Sequence, residues 1–188
     1  MAVLSQRDPA QDPELKAVYD EIAASRGWIS NAMQSLAHAP EGLRRFAHFG
    51  DYVRYHTALN ERVRELVIVT IGHAVRYAAT HHAGLAIQAG IPKDAVDEIL
   101  AGQVPAGLPE EERLVVRYVF EFASGPGISD DTFAQMNKHF SERSITDVTL
   151  LAAYYLAYGT MIKNLRVTIE SKDKLDIEMK WQAEKAAK

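Results

Sequence analysis

The sequence predicts an all-α fold of about seven to nine helices, and three features carry that expectation. Apolar residues recur at helical spacing. Pro, Gly and capping residues cut the chain into helix-length pieces. Period-two alternation, the mark of a half-buried strand, is absent over any useful length. No internal repeat or low-complexity stretch breaks the pattern.

Pro13 suits the first position of a helix running to about Ser25, with Leu15, Val18, Tyr19 and Ile22 on one face. A short segment around Met33 to His38 ends at Ala39-Pro40, and a third helix covers Pro40 to Tyr55. Asn60 is placed to cap a helix that starts at Glu61 and continues through Leu66-Val67-Ile68-Val69. Four apolar residues in a row cover most of a helix's circumference, so burial on several sides is expected there. After a break near Gly72, residues 77 to 89 form a helix stopped by Gly90 and Pro92, and a short one spans 93 to 101. Pro109 opens residues 110 to 123, whose apolar face includes Val115, Val119 and Phe122. Ser129 caps 130 to 139, and Ser141 opens a last long helix pair carrying Leu150, Leu151, Tyr154, Tyr155 and Tyr158.

With 188 residues, 47% hydrophobic and 24% charged, the chain has the make-up of one globular domain over 1–188 with a substantial core. Residues 172–188 read as a charged, Ala-rich tail, either a solvated helix or a frayed end. A net charge of -4 with scattered Lys and Arg argues against a nucleic-acid partner. Uninterrupted apolar runs fall far short of the roughly 18 residues of a spanning helix, so no membrane role is expected. Met1 to Pro13 carries Arg7, Asp8 and Asp12 without an apolar h-region, which does not read as a secretory signal. The expected location is cytoplasmic. There is no cysteine, and therefore no disulfide, thiolate metal site or thiol nucleophile.

Two residues stand out as candidate acid/base groups. Glu65 directly precedes the apolar run; a desolvated carboxylate has a raised pKa, which suits a general acid or base. The competing reading is an ion pair within the helix start, with Arg62 or Arg64 as partner. His82 lies on a stripe of small residues, Ala78, Ala79, Ala86 and Ala89, where a neighbouring helix can approach or a cavity remain. It is read either as a proton-transferring group or as a structural imidazole bonded to a carbonyl. His81 points about 100° away, alongside Tyr77 and Leu85, and is expected at an interface or the surface. His73, His81 and His82 with Glu65 offer metal-ligand types, but adjacent histidines diverge on a helix and no His-x-x-x-His pair exists here. No metal and no cofactor are expected. Tyr154, Tyr155, Tyr158 and Met161 form an aromatic-rich face suited to core or subunit interface, or to a ligand wall.

Asn60-Glu-Arg-Val-Arg-Glu-Leu, followed by Tyr77-Ala-Ala-Thr-His-His82 and the run to Gly90, resembles the core of the carboxymuconolactone decarboxylase family. Leu36 to Pro40, His139 to Arg143, Asp147 and Tyr155 extend the resemblance over about Pro13 to Arg166. It implies the alkylhydroperoxidase D-like helical fold, assembly as a homo-oligomer (trimer or hexamer), and a metal-free active site. It also implies a cofactor-independent enzyme acting on a small carboxylated lactone or aromatic-catabolism acid, without nucleic acid or membrane. His82 becomes the candidate proton donor and Glu65 its orienting or exchanging partner, both catalytic; Tyr77, Arg76 and His81 become candidate substrate-binding residues. For Tyr77 the alternative is core packing, and for Arg76 an exposed salt bridge.

The alkylhydroperoxidase D branch of this superfamily uses Cys-x-x-Cys ahead of the shared His. Those positions here are Val75 and Ala78, so thiol peroxidase chemistry is excluded. Ala78 also stands where the decarboxylase branch has a Glu. The alternative function is therefore a non-catalytic, ligand-binding or structural member that kept the fold.

Overall fold

The computed structural model describes residues 4–186. Among them are ten α-helices, one 3-10 turn at Pro9–Gln11 and no strand. The helices are α1 (Pro13–Arg26), α2 (Asn31–Gln34), α3 (Pro40–Tyr55), α4 (Glu61–Gly72) and α5 (Arg76–Gln88), followed by α6 (Lys93–Leu100), α7 (Glu110–Ala123), α8 (Asp130–His139), α9 (Glu142–Asn164) and α10 (Lys172–Ala186). The all-α expectation is met, and most of the anticipated boundaries are realised through the chemistry that suggested them. Asp12, Asn60 and Ser129 accept backbone N–H bonds from Leu15, Val63 and Thr132 as side-chain N-caps. Pro13 opens α1, and Gly27 closes it in the left-handed region at φ 79°.

Two boundaries differ. The segment expected at Met33 to His38 is a single helical turn ending at Gln34, capped by Ser30. The expected pair after Ser141 is one helix, α9, of 23 residues. Gly159 does not break it, because the Val75 side chain packs into the space that a side chain at 159 would fill. By length and composition α9 is the one described helix that could cross a membrane, but half of its most apolar stretch is buried within the protein.

The chain divides into two compact units, Met1–Tyr52 with Met161–Lys188, and Val53–Thr160. In the first, α1 buries Leu15, Val18 and Ile22 at i, i+3 and i+7. Asn31 ties α2 to the segment before α10: its backbone N–H donates to the buried Glu170 carboxylate at 2.6 Å, and its side-chain amide donates to the Thr168 carbonyl at 3.1 Å. The tail expected over 172–188 is helical from Lys172 to Ala186, with 187 and 188 outside the described residues. Trp181, uninformative in the sequence, lies where a Cβ on Gly27 would stand.

The second unit is organised around α4, which packs against α5, α6 and α7. Leu66, Val67, Ile68, Val69 and Ile71 are each fully buried, as the apolar run implied. Each such side chain contributes roughly 1.5–3 kcal/mol when taken from water. Gly72 allows the turn from α4 into α5, because a side chain there would press on the Ala79 backbone at 3.1 Å. Arg62 then bolts α4 to α7 by a two-pronged bond to Glu112, at 2.6 and 2.9 Å, and also donates to the Gly90 carbonyl.

Gly27→Ala is expected to lower stability by roughly 1–3 kcal/mol, since the new methyl meets both an unfavourable φ and the Trp181 ring. Urea unfolding checks this, and the loss should shrink in a Trp181→Ala background, where only the backbone strain remains.

Candidate active site

Glu65 and His82, nominated from the sequence as partners, are brought together inside the second unit. His82 Nδ1 lies 2.9 Å from Glu65 Oε2. Both are buried, with 3% of Glu65 and 7% of His82 exposed. The N-cap at Asn60 fixes where α4 begins, so Glu65 enters the core just ahead of Leu66. The tight turn at Gly72 folds α5 back along α4 and carries His82 to the carboxylate.

Glu65's second oxygen is taken by Arg54, which the sequence reading did not select. Arg54 Nη1 donates to Glu65 Oε1 at 2.6 Å, and both side chains are almost wholly buried. The partners weighed from sequence go elsewhere: Arg62 to Glu112, and Arg64 to the Leu59 carbonyl. A signal for Arg54 was present. Leu43, Ala47 and Gly50 form the buried stripe of α3 at i, i+4 and i+7, and residue 54 continues it one turn on. A guanidinium on the inward stripe of an amphipathic helix requires a buried anion.

The link between Arg54 and Glu65 is short in sequence and held in place. Asp147 on α9, fully buried, accepts from the Ala58 backbone N–H at 2.8 Å and from Arg143 Nε at 2.9 Å. The loop joining α3 to α4 is thereby pinned to α9.

Electrostatics reverse the expectation for Glu65. Burial alone would raise its pKa, but the Arg54 guanidinium, and then the His82 ring, hold it down to about 2. Glu65 is a fixed anion across the working range of pH, and the idea of a carboxyl with a raised pKa is corrected by the partner on α3. Arg54 stays charged: burial works against its charge, while Tyr155, Glu65 and Tyr55 push its pKa well above the usual value.

A permanent carboxylate fixes the histidine tautomer. Glu65 can only accept, so His82 Nδ1 carries the hydrogen and donates to it. Arg54 Nη1 also lies 3.3 Å from Nδ1, but both atoms then bear hydrogens; they meet because both converge on Glu65. Nε2 is left for the other side of the ring. There it faces the Tyr155 hydroxyl at 3.2 Å, with the two rings edge to face at 5.2 Å and 89°. Tyr155 sits in turn edge-on to Tyr154. The aromatic-rich face of α9 is thus largely core, with Tyr155 turned to the histidine. Taken together, an ionised carboxylate, an imidazole bonded to it through one nitrogen and a hydroxyl at the other nitrogen form a continuous hydrogen-bonded chain.

The remaining nominated residues lie differently. Of the interface and surface positions expected for His81, the surface one is corrected: the residue is buried, 5% exposed, and its ring stacks at 4.4 Å on Tyr77, beside which it was placed. Tyr77 is half-buried. Arg76, in the first turn of α5, is exposed, and its side chain makes no bond among the described residues. His73 Nδ1 bonds the Leu100 carbonyl at 3.1 Å and the ring meets Phe120 edge-on. Among the described residues no group of three or more His, Cys, Asp or Glu is arranged to hold a metal ion. The two positions where thiols would stand are closed. Val75 packs on Gly159, and Ala78 is buried at 4% exposure one turn before His82.

Known proteins agree with this architecture. Residues 40–120 match the Carboxymuconolactone decarboxylase family, a span that includes Arg54, Glu65 and His82. No curated protein matches the chain. Among solved structures, the alkylhydroperoxidase AhpD core of an uncharacterized peroxidase-related protein from Ralstonia eutropha JMP134 superposes with a TM-score of 0.76 at 16% identity, over 91% of this chain and 93% of that one. An uncharacterized peroxidase-related protein from Silicibacter sp. TM1040 gives 0.76 at 14% identity, over 91% and 93%. The debrominase Bmp8 gives 0.73 at 14% identity, over 94% and 97%, and is also solved as a cysteine-to-alanine variant with 2,3,4-tribromopyrrole. At these identities the likeness is one of fold. The family match thus spans the helices that hold Glu65 and His82, and the fold is the AhpD-like helical one, in a chain without cysteine.

Proposed function

We propose that this protein is a cofactor-independent acid/base enzyme of the carboxymuconolactone decarboxylase type, acting on a small unsaturated lactone acid or a related aromatic-catabolism acid. The observation that carries the reading is the bond from His82 Nδ1 to a Glu65 carboxylate held ionised by Arg54. Decarboxylation of such an acid leaves an electron pair delocalised into the lactone as a dienolate, and the protein has to return one proton to carbon. His82 supplies that proton from its Nε2 side, while Glu65 sets the tautomer and stabilises the imidazolium. Arg76 and Tyr77, with His81 behind Tyr77, are the substrate-binding candidates of this reading. Homo-oligomeric assembly in the cytoplasm, as a trimer or hexamer, belongs to it as well.

A second reading, a ligand-binding member without turnover, is favoured by two observations: Val75 fills the space beside Gly159, and His82 and Tyr155 are both buried. A thermal-shift screen of carboxymuconolactone and related unsaturated acids, followed by turnover of the stabilising compounds, separates the two. The enzyme reading expects turnover that falls by at least about 100-fold in a folded His82→Ala variant. Binding without turnover supports the second reading, and wild-type turnover in His82→Ala removes the first.

Glu65 as a fixed anion has a consequence for stability. Its folded-state pKa, about 2, lies below the ordinary 4.5, so its contribution is present above pH 4.5 and is lost as pH falls through about 2. Urea unfolding between pH 7 and pH 2 should show this acid limb. Glu65→Gln should flatten it, and should lower stability at pH 7 by roughly 3–5 kcal/mol by leaving Arg54 buried without its anion. An unchanged acid limb in Glu65→Gln would place the source elsewhere.

A further inference from the structure

In the hydrogen-bonded chain, one ring nitrogen of His82 is committed to Glu65, and the other meets the oxygen of Tyr155. A proton that leaves or reaches the imidazole at Nε2 has the Tyr155 phenol within hydrogen-bond distance. One turn before His82 on α5 stands Ala78, which carries no proton to give. Val75 is moreover packed against Gly159, one turn beyond Tyr155 on α9. Resting on the proton-transfer reading above, we infer that Tyr155 is the catalytic residue that passes the proton to substrate carbon, with His82 acting through it as the group that reloads it.

The step balances without any further reactant. With His82 as imidazolium, Nδ1–H donates to Glu65 and Nε2–H donates to the Tyr155 oxygen, which turns the phenolic hydrogen away from the ring and toward the substrate. The substrate's carboxylate C–C bond breaks, carbon dioxide leaves, and the electron pair stays as the dienolate. The Tyr155 O–H proton goes to the dienolate carbon, and the Nε2 proton moves onto the phenolate oxygen. Neutral His82 remains, and it recovers its proton from water. The transient phenolate is held in the field of the buried Arg54 charge. The Tyr154 ring fixes the phenol from behind, at 5.4 Å and 80°.

The test uses carboxymuconolactone and the same panel of unsaturated acids, with wild type, Tyr155→Phe and His82→Gln compared for kcat, KM and thermal unfolding. The expected result is a folded Tyr155→Phe protein with kcat lowered at least about 100-fold and KM within about threefold of wild type. A fluorinated tyrosine at 155, whose phenol is more acidic, should move the alkaline limb of the pH–rate profile toward lower pH, which a merely structural tyrosine would not do. If Tyr155→Phe keeps wild-type kcat while His82→Gln loses it, the role of Tyr155 is overturned and proton transfer by His82 stands. If both variants keep wild-type turnover, or the wild type turns over none of the panel, the inference falls together with the reading on which it rests.

Discussion

Two opposite charges, the Arg54 guanidinium and the Glu65 carboxylate, are removed from water where α3 hands over to α4, and the rest of the site follows from that removal. Each alone would be expensive to bury; together at 2.6 Å they are tolerated, and neither can be neutral without stranding the other. Such a pair adds little net stability compared with a well-packed apolar pair, so its use is better sought in what it fixes. It keeps Glu65 ionised. An ionised Glu65 dictates which nitrogen of His82 holds hydrogen, and that choice aims the other nitrogen at Tyr155. Asp147 contributes from a distance by pinning the loop between the two charges to the helix that also carries Tyr155.

The likeness of fold in a chain without cysteine has a visible structural basis here. The family match runs from α3 to α7, and similar solved structures cover more than nine-tenths of the chain at 14–16% identity. The helices can stay where they are because Val75 and Ala78 are small or branched apolar residues that pack as core. Gly159 makes room for the first of them. The chain carries no cysteine, and a carboxylate and an imidazole are paired inside its second unit.

How much of this was legible beforehand depended on whether the signal was local. Helix ends marked by Asp12, Pro13, Asn60 and Ser129 are settled by side-chain-to-backbone bonds within three residues, and they were read correctly. The burial of α4 followed from four apolar residues in a row. The pairing of Glu65 with His82 came from resemblance, since nothing local joins residues 17 apart. What was missed is tertiary. Glu65 was read either as a carboxyl with a raised pKa or as half of an ion pair with Arg62 or Arg64; burial is the largest single influence on it, but Arg54 and His82 together outweigh that burial. Arg54 and Tyr155 approach His82 from helices far off in sequence; only the inward stripe of α3 hinted at one of them, and the aromatic face of α9 at the other. His81 was placed beside Tyr77 by an angular argument, which could not show that the two rings stack and bury each other.

The orientation of His82 is the point on which everything converges, and nitrogen-15 NMR of histidine-labelled protein at neutral pH reads it directly. The structure predicts a ring with Nδ1 protonated and bonded to Glu65, and with Nε2 shifting strongly when the ring titrates. A His82 found as the opposite tautomer, with hydrogen on Nε2 and a bare Nδ1, would contradict the fixed-anion role of Glu65 and the proton path drawn from it.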